Sequence, residues 1–241
     1  MKFYLTHLKK TKPVCLIPAR SGSKRIKNKN IIKISKTPLI GHVIKTALKS
    51  KLFSKVVVST DSKKIAKIAK SYGAIAPFLR SKKLSNSNTG IKETLVDCIN
   101  QIKTFHIEHH FCIYPTAILI TKKDLTKAFK KIKKVKADAL FAVYENSSLM
   151  RSFKYNKKRD VIDFKWKKYS QYMSQDLPKI YSDTGTFFIF NTKKYLASKK
   201  ILSKKTIPYE ISKIKGIDLN TKDDLELLKA AYSFNIAKRT N

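Results

Sequence analysis

Acidic residues are scarce in this chain of 241 residues: Asp and Glu number 16 against 53 Lys and Arg, leaving a formal net charge of +37. Glycine and proline are scarce as well, at six and seven, which excludes collagen-like and low-complexity classes. Three scattered cysteines, Cys15, Cys98 and Cys112, each sit among apolar neighbours. They form no disulfide framework and read as buried thiols in a reducing cytoplasm. No apolar run approaches the roughly 20 residues of a membrane span. The opening MKFYLTHLKKTKP is too short and interrupted for a signal peptide. What the chain does have is material for a core, at 42% hydrophobic and 10% aromatic. That excludes a disordered polycation and fits one domain, or one domain with a modest insertion.

The positive charge invites a nucleic-acid reading, and its distribution argues against one. Six of the 53 basic residues are Arg, the residue that most often reads bases. Lysines spread along the whole chain, often as doublets such as Lys63-Lys64, Lys122-Lys123 and Lys130-Lys131, and no basic block is interleaved with aromatics. Low Arg with high Lys, Ile and Asn points to an AT-rich coding sequence, a mutational cause rather than a functional one. The expected partner is therefore not a specific nucleic acid. The positive field should instead concentrate a polyanionic small substrate, a nucleoside triphosphate included, and salt should weaken the effect.

Short β-branched runs alternate with helical stretches. Pro13–Pro18, Lys55–Ser59, Phe111–Tyr114 and Ala139–Tyr144 read as strands. Leu39–Ser50, Ser62–Tyr72, Lys92–Lys103 and Asp124–Val135 carry apolar residues at helical spacing, with Asp61-Ser62 and Thr121 as caps. Such alternation predicts an α/β fold, a mostly parallel twisted sheet with helices on both faces. Met150–Ser182, rich in Lys and Tyr and holding the only Trp, has weak periodicity and reads as an insertion or flap. Thr186–Phe190 returns as a strand and Asp223–Tyr232 closes as a helix. Residues 1–12 are expected to be an extension and 13–241 a single domain.

In parallel sheets ligands bind beyond the carboxyl ends of the strands. The first such end is Ile17-Pro18-Ala19-Arg20-Ser21-Gly22-Ser23-Lys24-Arg25. A small Gly-containing turn leaves N–H groups to face an anion, and Arg20, Lys24 and Lys29 add fixed charge. Neither GxxxxGK[ST] nor GxGxxG is present. From its residues alone this is a phosphate-binding loop or a solvated basic turn.

PARSGSKRIKNKNI resembles the opening signature of the sugar-acid cytidylyltransferases, the CMP–sialic acid synthetase group, with Arg20, Lys24, Lys29 and Asn30 on its marked positions. Further resemblances follow in order: Ser50–Ala74, Pro77–Gly90, Cys112–Leu125, Ser174–Phe190 and Ile217–Lys229. They cover nearly the whole chain from residue 13. The PFLR segment, Tyr114 and SQDL…YSDTGTF resemble the pseudaminic acid branch.

The resemblance implies a nucleotide-diphospho-sugar transferase-like fold and transfer of CMP from CTP to the anomeric hydroxyl of a nine-carbon sugar acid, with release of pyrophosphate. Pseudaminic acid is the expected acceptor. Sialic or legionaminic acid, or a low-activity homologue that only binds nucleotide, are the alternatives. It assigns Arg20 and Lys24 to the triphosphate and transition state, Ser21, Gly22 and Ser23 to backbone donation, and Lys29 and Asn30 to further nucleotide contacts. Arg80, Thr89 and Gly90 fall at the cytosine site. Read without the family, Arg80 could equally be a surface arginine and Thr89-Gly90 an ordinary turn. Tyr114, Thr116, Gln175 and Asp183 would face the sugar.

The family's late Asp-x-Asp, which binds Mg²⁺, stands here as Asp218-Leu219-Asn220. On a strand, residues two apart share a face, so both side chains could reach one ion, with the Asn220 carbonyl the weaker ligand. Asp223 and Asp224 read as the start of the last helix. A homodimer formed through 150–182 is also implied. His106, Glu108, His109 and His110 could suggest a metal cluster, but they read as a loop of solvated histidines.

Overall fold

A computed structural model describes residues 11–86, 89–198 and 200–240. The expected extension over 1–12 lies, up to residue 10, outside them. In chain order the strands are β1 (Val14–Pro18), β2 (Lys33–Ile34), β3 (Thr37–Pro38), β4 (Lys55–Ser59), β5 (His109–Ile113), β6 (Ala139–Glu145), β7 (Phe153–Asn156), β8 (Val161–Phe164), β9 (Tyr181–Asn191) and β10 (Thr206–Glu210). The helices are α1 (Leu39–Lys49), α2 (Lys63–Ser71), α3 (Lys82–Ser85), α4 (Ile91–Gln101), α5 (Lys122–Val135), α6 (Thr192–Ser198) and α7 (Lys222–Thr240).

Six strands form one sheet in the order β10-β6-β9-β5-β1-β4. β1 pairs in parallel with β4 and β5, and β10 with β6, while β9 runs antiparallel between β5 and β6. Side chains alternate across the pleat, so each strand feeds two cores. Cys15 and Ile17 of β1 join Val56, Val58, Phe111 and Ile113 under α1, α2, α5 and α7. Val14 and Leu16 join Val57, Cys112, Phe188 and Phe190 beside α4 and α6. Coverage of both faces is why the β4 run Val56-Val57-Val58 is apolar without alternation. All three cysteines are buried free thiols. No helix among the described residues is long and apolar enough to cross a membrane.

Several boundaries differ from the sequence reading. Ser62 alone caps α2, accepting the Ile65 N–H at 3.3 Å, and Asp61 turns elsewhere. Thr121 forms a full capping box with Asp124 on α5. β5 begins at His109, two residues earlier than the apolar letters suggest, because β9 supplies ladder partners as far as Asn191. α7 runs past Tyr232 through Thr240. β10 was not expected: its polar letters and Pro208 suit an edge strand, where one side needs no ladder donors. Within 150–182, β7 and β8 pair as an antiparallel hairpin separate from the six-stranded sheet.

Candidate active site

Because β9 opposes its neighbours, its first residues lie at the edge where the other strands end. There the chain encloses a cavity of about 620 Å³, lined by the loop after β1, the start of α4, the end of β5, the first half of β9 and the segment before α7.

The loop after β1 is held from two directions. Buried Asn30 donates from Nδ2 to the Arg20 carbonyl at 2.8 Å. The Asp61 carboxylate accepts the Ser21 N–H at 2.8 Å and the Ser21 hydroxyl at 2.7 Å. The Ser23 N–H bonds the Ser21 carbonyl at 2.9 Å. Two of the three expected backbone donors are thus engaged in this conformation, and a Cβ on Gly22 would meet nothing within 4 Å. Arg20 Nη1 reaches the Asn86 carbonyl at 2.9 Å. Asn28, at φ 56°, turns the chain left-handedly so that Lys29 points back toward the cavity. Lys29 Nζ donates to the Leu219 carbonyl at 2.6 Å, tying this loop to the segment that carries Asp218. Burial, then Arg25 and Arg20, lower the Lys29 pKa, and Asp218 opposes them.

Arg80 is 7% exposed and still lines the cavity, which removes the surface-arginine alternative. Its Nη2 donates to the Ser59 carbonyl at 2.6 Å and its Nε to Ser59 Oγ at 3.2 Å, at the carboxyl end of β4. Burial lowers its pKa, and Asp61 opposes that shift. Beside it Thr89 and Gly90 precede α4, whose first turn presents Ile91 and Thr94. Such an N-terminus favours negative charge.

On the far side the Tyr114 N–H donates to the Thr186 carbonyl at 2.8 Å, and burial pushes the Tyr114 phenol pKa upward. Thr116 is buried next to it. The β6–β9 ladder shifts register between Phe141 and Val143, and opposite this bulge Thr184 Oγ1 donates to the Ala142 carbonyl at 2.9 Å. Gly185 here adopts φ +57°, its N–H donates to Asp183 Oδ1 at 3.0 Å, and the position a Cβ would take is 3.3 Å from Asp218 Cγ. An L side chain would be strained and would press on that carboxylate. Gly185→Ala should therefore cost about 1–2 kcal/mol of stability and lower turnover by more than that loss explains. Thermal melts beside initial rates check it.

Asp218-Leu219-Asn220 is not on a strand and pairs with no ladder. Leu219 is fully buried, so the two polar side chains still share the opposite side and both line the cavity. Asn220 Nδ2 donates to Asp218 Oδ2 at 2.6 Å. Asp224 caps α7, accepting the Asn220 and Thr221 N–H groups and the Thr221 hydroxyl, and these bonds hold its pKa down.

Arg20, Ser23, Lys24, Lys29, Asn30, Arg80, Thr89, Gly90, Tyr114, Thr116, Asp183, Asp218 and Asn220 all line the one cavity. Ser21, Gly22 and Gln175 do not; Gln175 sits in an exposed turn and donates to Met173 Sδ at 3.3 Å. Sequence reasoning passed over Arg25, Thr94 and Gly185, which also line it. Arg25 lies in the same basic run and was legible there, whereas nothing local marks Thr94. Among the described residues no group of three His, Cys, Asp or Glu could hold a metal. The histidine run is not a solvated loop either. His109 and His110 are buried in β5, with His110 between Thr192 Oγ1 at 2.7 Å and Thr104 Oγ1 at 2.9 Å.

Against this geometry, comparison with known proteins is direct. A family model described as Cytidylyltransferase matches residues 14–237. A pseudaminic acid cytidylyltransferase of Campylobacter jejuni is 36% identical over 93% of this chain and 97% of its own length. A CMP-N,N'-diacetyllegionaminic acid synthase of Legionella pneumophila is 30% identical over 92% of this chain and 97% of its own. In three dimensions a CMP:2-keto-3-deoxy-manno-octonic acid synthetase solved with CTP superposes with a TM-score of 0.69 over 93% of this chain and all of that one, at 15% identity, which bears on the fold alone. The chain belongs to the cytidylyltransferase family of nucleotidyltransferases.

Proposed function

We propose that this enzyme transfers CMP from CTP to the anomeric hydroxyl of a nine-carbon α-keto sugar acid, pseudaminic acid, and releases pyrophosphate. The observation that carries the reading is the convergence of Arg20, Lys24, Arg25 and Lys29 on a cavity that also holds the buried Arg80 and the start of α4. The hydroxyl oxygen forms a bond to the α-phosphorus and loses its proton. The bond from that phosphorus to the bridging oxygen breaks, and pyrophosphate leaves with the electron pair. Negative charge grows on the leaving group and the equatorial oxygens, and fixed cations stabilise it with no covalent intermediate. In this reading Arg20, Lys24 and Lys29 hold the triphosphate, with Ser21, Gly22 and Ser23 in the loop beneath it and Asn30 fixing the loop's carbonyl. Arg80 with Thr89-Gly90 faces cytosine, and Tyr114, Thr116 and Asp183 face the sugar. Gln175 joins them only if its turn moves.

Mg²⁺ takes hard oxygen donors, keeps several waters and shares phosphate oxygens, so few protein ligands are needed. The Asp218 carboxylate, given room by the missing Gly185 side chain, and the Asn220 carbonyl fit that demand and would hold it. When bound, the ion would neutralise phosphate charge. A homodimer is supported by the apolar residues that the β7–β8 hairpin and its flank leave exposed, among them Phe153, Ile162 and Met173. The test of the substrate assignment is kcat/KM for pseudaminic, legionaminic and N-acetylneuraminic acids with CTP and Mg²⁺, products identified by mass. Pseudaminic acid should lead by at least about tenfold. A lead by either of the others moves the enzyme to that branch.

A further inference from the structure

We propose that Asp61 is a positioning residue, which sets the triphosphate loop in register with the arginine of the base site; the inference rests on the cytidylyltransferase reading above. Asp61 follows β4 at the place where a helix cap is expected. Ser62 performs that task, so the Asp61 side chain is not needed by α2. It spans to the other loop and takes both donors of one residue, the Ser21 N–H on Oδ1 and the Ser21 hydroxyl on Oδ2. Among the described residues it forms no salt bridge, although the chain is crowded with lysines. Both oxygens are committed to one neutral serine, an arrangement that fixes the position of Ser21 without neutralising a charge on it.

The same strand end holds the other half of the site. Ser59 accepts the Arg80 guanidinium through its carbonyl and its hydroxyl. The Ser59 carbonyl also takes the Ala19 N–H at 2.9 Å, and the Thr60 carbonyl takes the Arg80 N–H at 2.8 Å. The Asp61 charge favours the ionised form of Arg80 against its burial. Three consecutive residues, Ser59-Thr60-Asp61, thus grip the phosphate loop on one side and Arg80 on the other. Ser21 and Gly22 are themselves exposed, so packing does little to fix them. A loop that must present cations to developing charge gains rate from being set beforehand, and misplacement of about 1 Å can cost about 10²-fold. Asp61 touches no part of the cavity itself; it acts through Ser21.

The experiment compares wild type, Asp61→Ala, Asp61→Asn and Ser21→Ala, with kcat and KM measured separately for CTP and for the sugar acid. Asparagine keeps an acceptor for the Ser21 N–H and can donate to the hydroxyl, so it loses the charge but keeps the bracket. Asp61→Ala is expected to lower kcat/KM for CTP by about tenfold or more and to leave KM for the sugar acid unchanged. Asp61→Asn should recover to within about threefold of wild type. Ser21→Ala should raise KM for CTP severalfold, and it carries the test should Asp61→Ala fail to fold.

An Asp61→Ala enzyme with wild-type constants overturns the proposal. So does an Asp61→Asn enzyme as impaired as the alanine, a Ser21→Ala enzyme with wild-type KM for CTP, or an Asp61→Ala enzyme whose KM rises equally for both substrates. CTP binding by calorimetry is read on the same proteins. Wild type that binds CTP without turnover would sink the assigned reaction, while the bracket is still judged on the binding constants. Wild type that binds no CTP overturns both.

Discussion

Lys24→Ala should lower kcat for pyrophosphate release by about 10²–10³-fold, the usual loss when one preorganised donor to developing charge is removed. Lys24 is exposed and lines the cavity beside Arg20, Arg25 and Lys29. Being exposed, it supports little packing, so the melting temperature should move by less than about 2 °C. The control is Lys127→Ala, an exposed lysine on α5 away from the cavity. It removes the same unit of charge from a protein that carries +37. If the general field alone drew in CTP, both variants would lose a similar small factor in kcat/KM, more at low salt. A specific Lys24 contact predicts a loss confined to Lys24 and present at all salt concentrations. Equal, modest effects would reduce the loop to one basic turn among many.

The second large effect concerns acid. Burial, with His109 and His106 adding to it, pushes the His110 pKa from 6.5 down to about 3. Its ring nitrogens are held by two threonine hydroxyls, and it stacks on Phe190 with centroids 5.7 Å apart. The folded-state value is depressed, so below pH 6.5 the unfolded chain binds a proton that the folded chain refuses. The stability this group confers is complete above pH 6.5 and drains away as the pH falls toward 3. At roughly 1.4 kcal/mol per unit, about 2–3 kcal/mol should be gone by pH 4.5. His110→Gln keeps polar groups between the threonines and removes the titration. It should be less stable than wild type at pH 7, and the gap should close by pH 4.5. General charge repulsion acts on both proteins, so the difference isolates His110. Parallel stability curves would mean that the ring is protonated in the folded state.

That histidine also marks where the sequence stops being legible. Its two partners lie at Thr104 and Thr192, and the second is reached only through the antiparallel β9 and the turn into α6. Nothing in the run FHIEHH signals a strand, so polar letters suggested solvent. The parallel sheet was legible because its apolar runs are contiguous and its helices periodic. The basic loop was legible for the same reason: Arg20, Lys24 and Lys29 lie within one turn-rich stretch. Asp218 and Asn220 were placed together by a strand rule that does not hold, since no ladder forms there. Burying Leu219 between them gives the same outcome by another route. Asp61 was legible only as a cap, because its partner Ser21 lies 40 residues away across β1 and β4. Arg80 could be read as pocket or surface until its anchor on Ser59 was seen.

On this reading the cavity at the strand ends joins CTP to a sugar acid. Pyrophosphate release measured with CTP, Mg²⁺ and pseudaminic acid, with each component omitted in turn, tests it most directly. Stoichiometric release and formation of the CMP-sugar are expected only when CTP and sugar acid are present together, with near loss of both in Lys24→Ala. Release without the acid, or protein that binds CTP and forms no CMP-sugar with any nine-carbon acid, would contradict it.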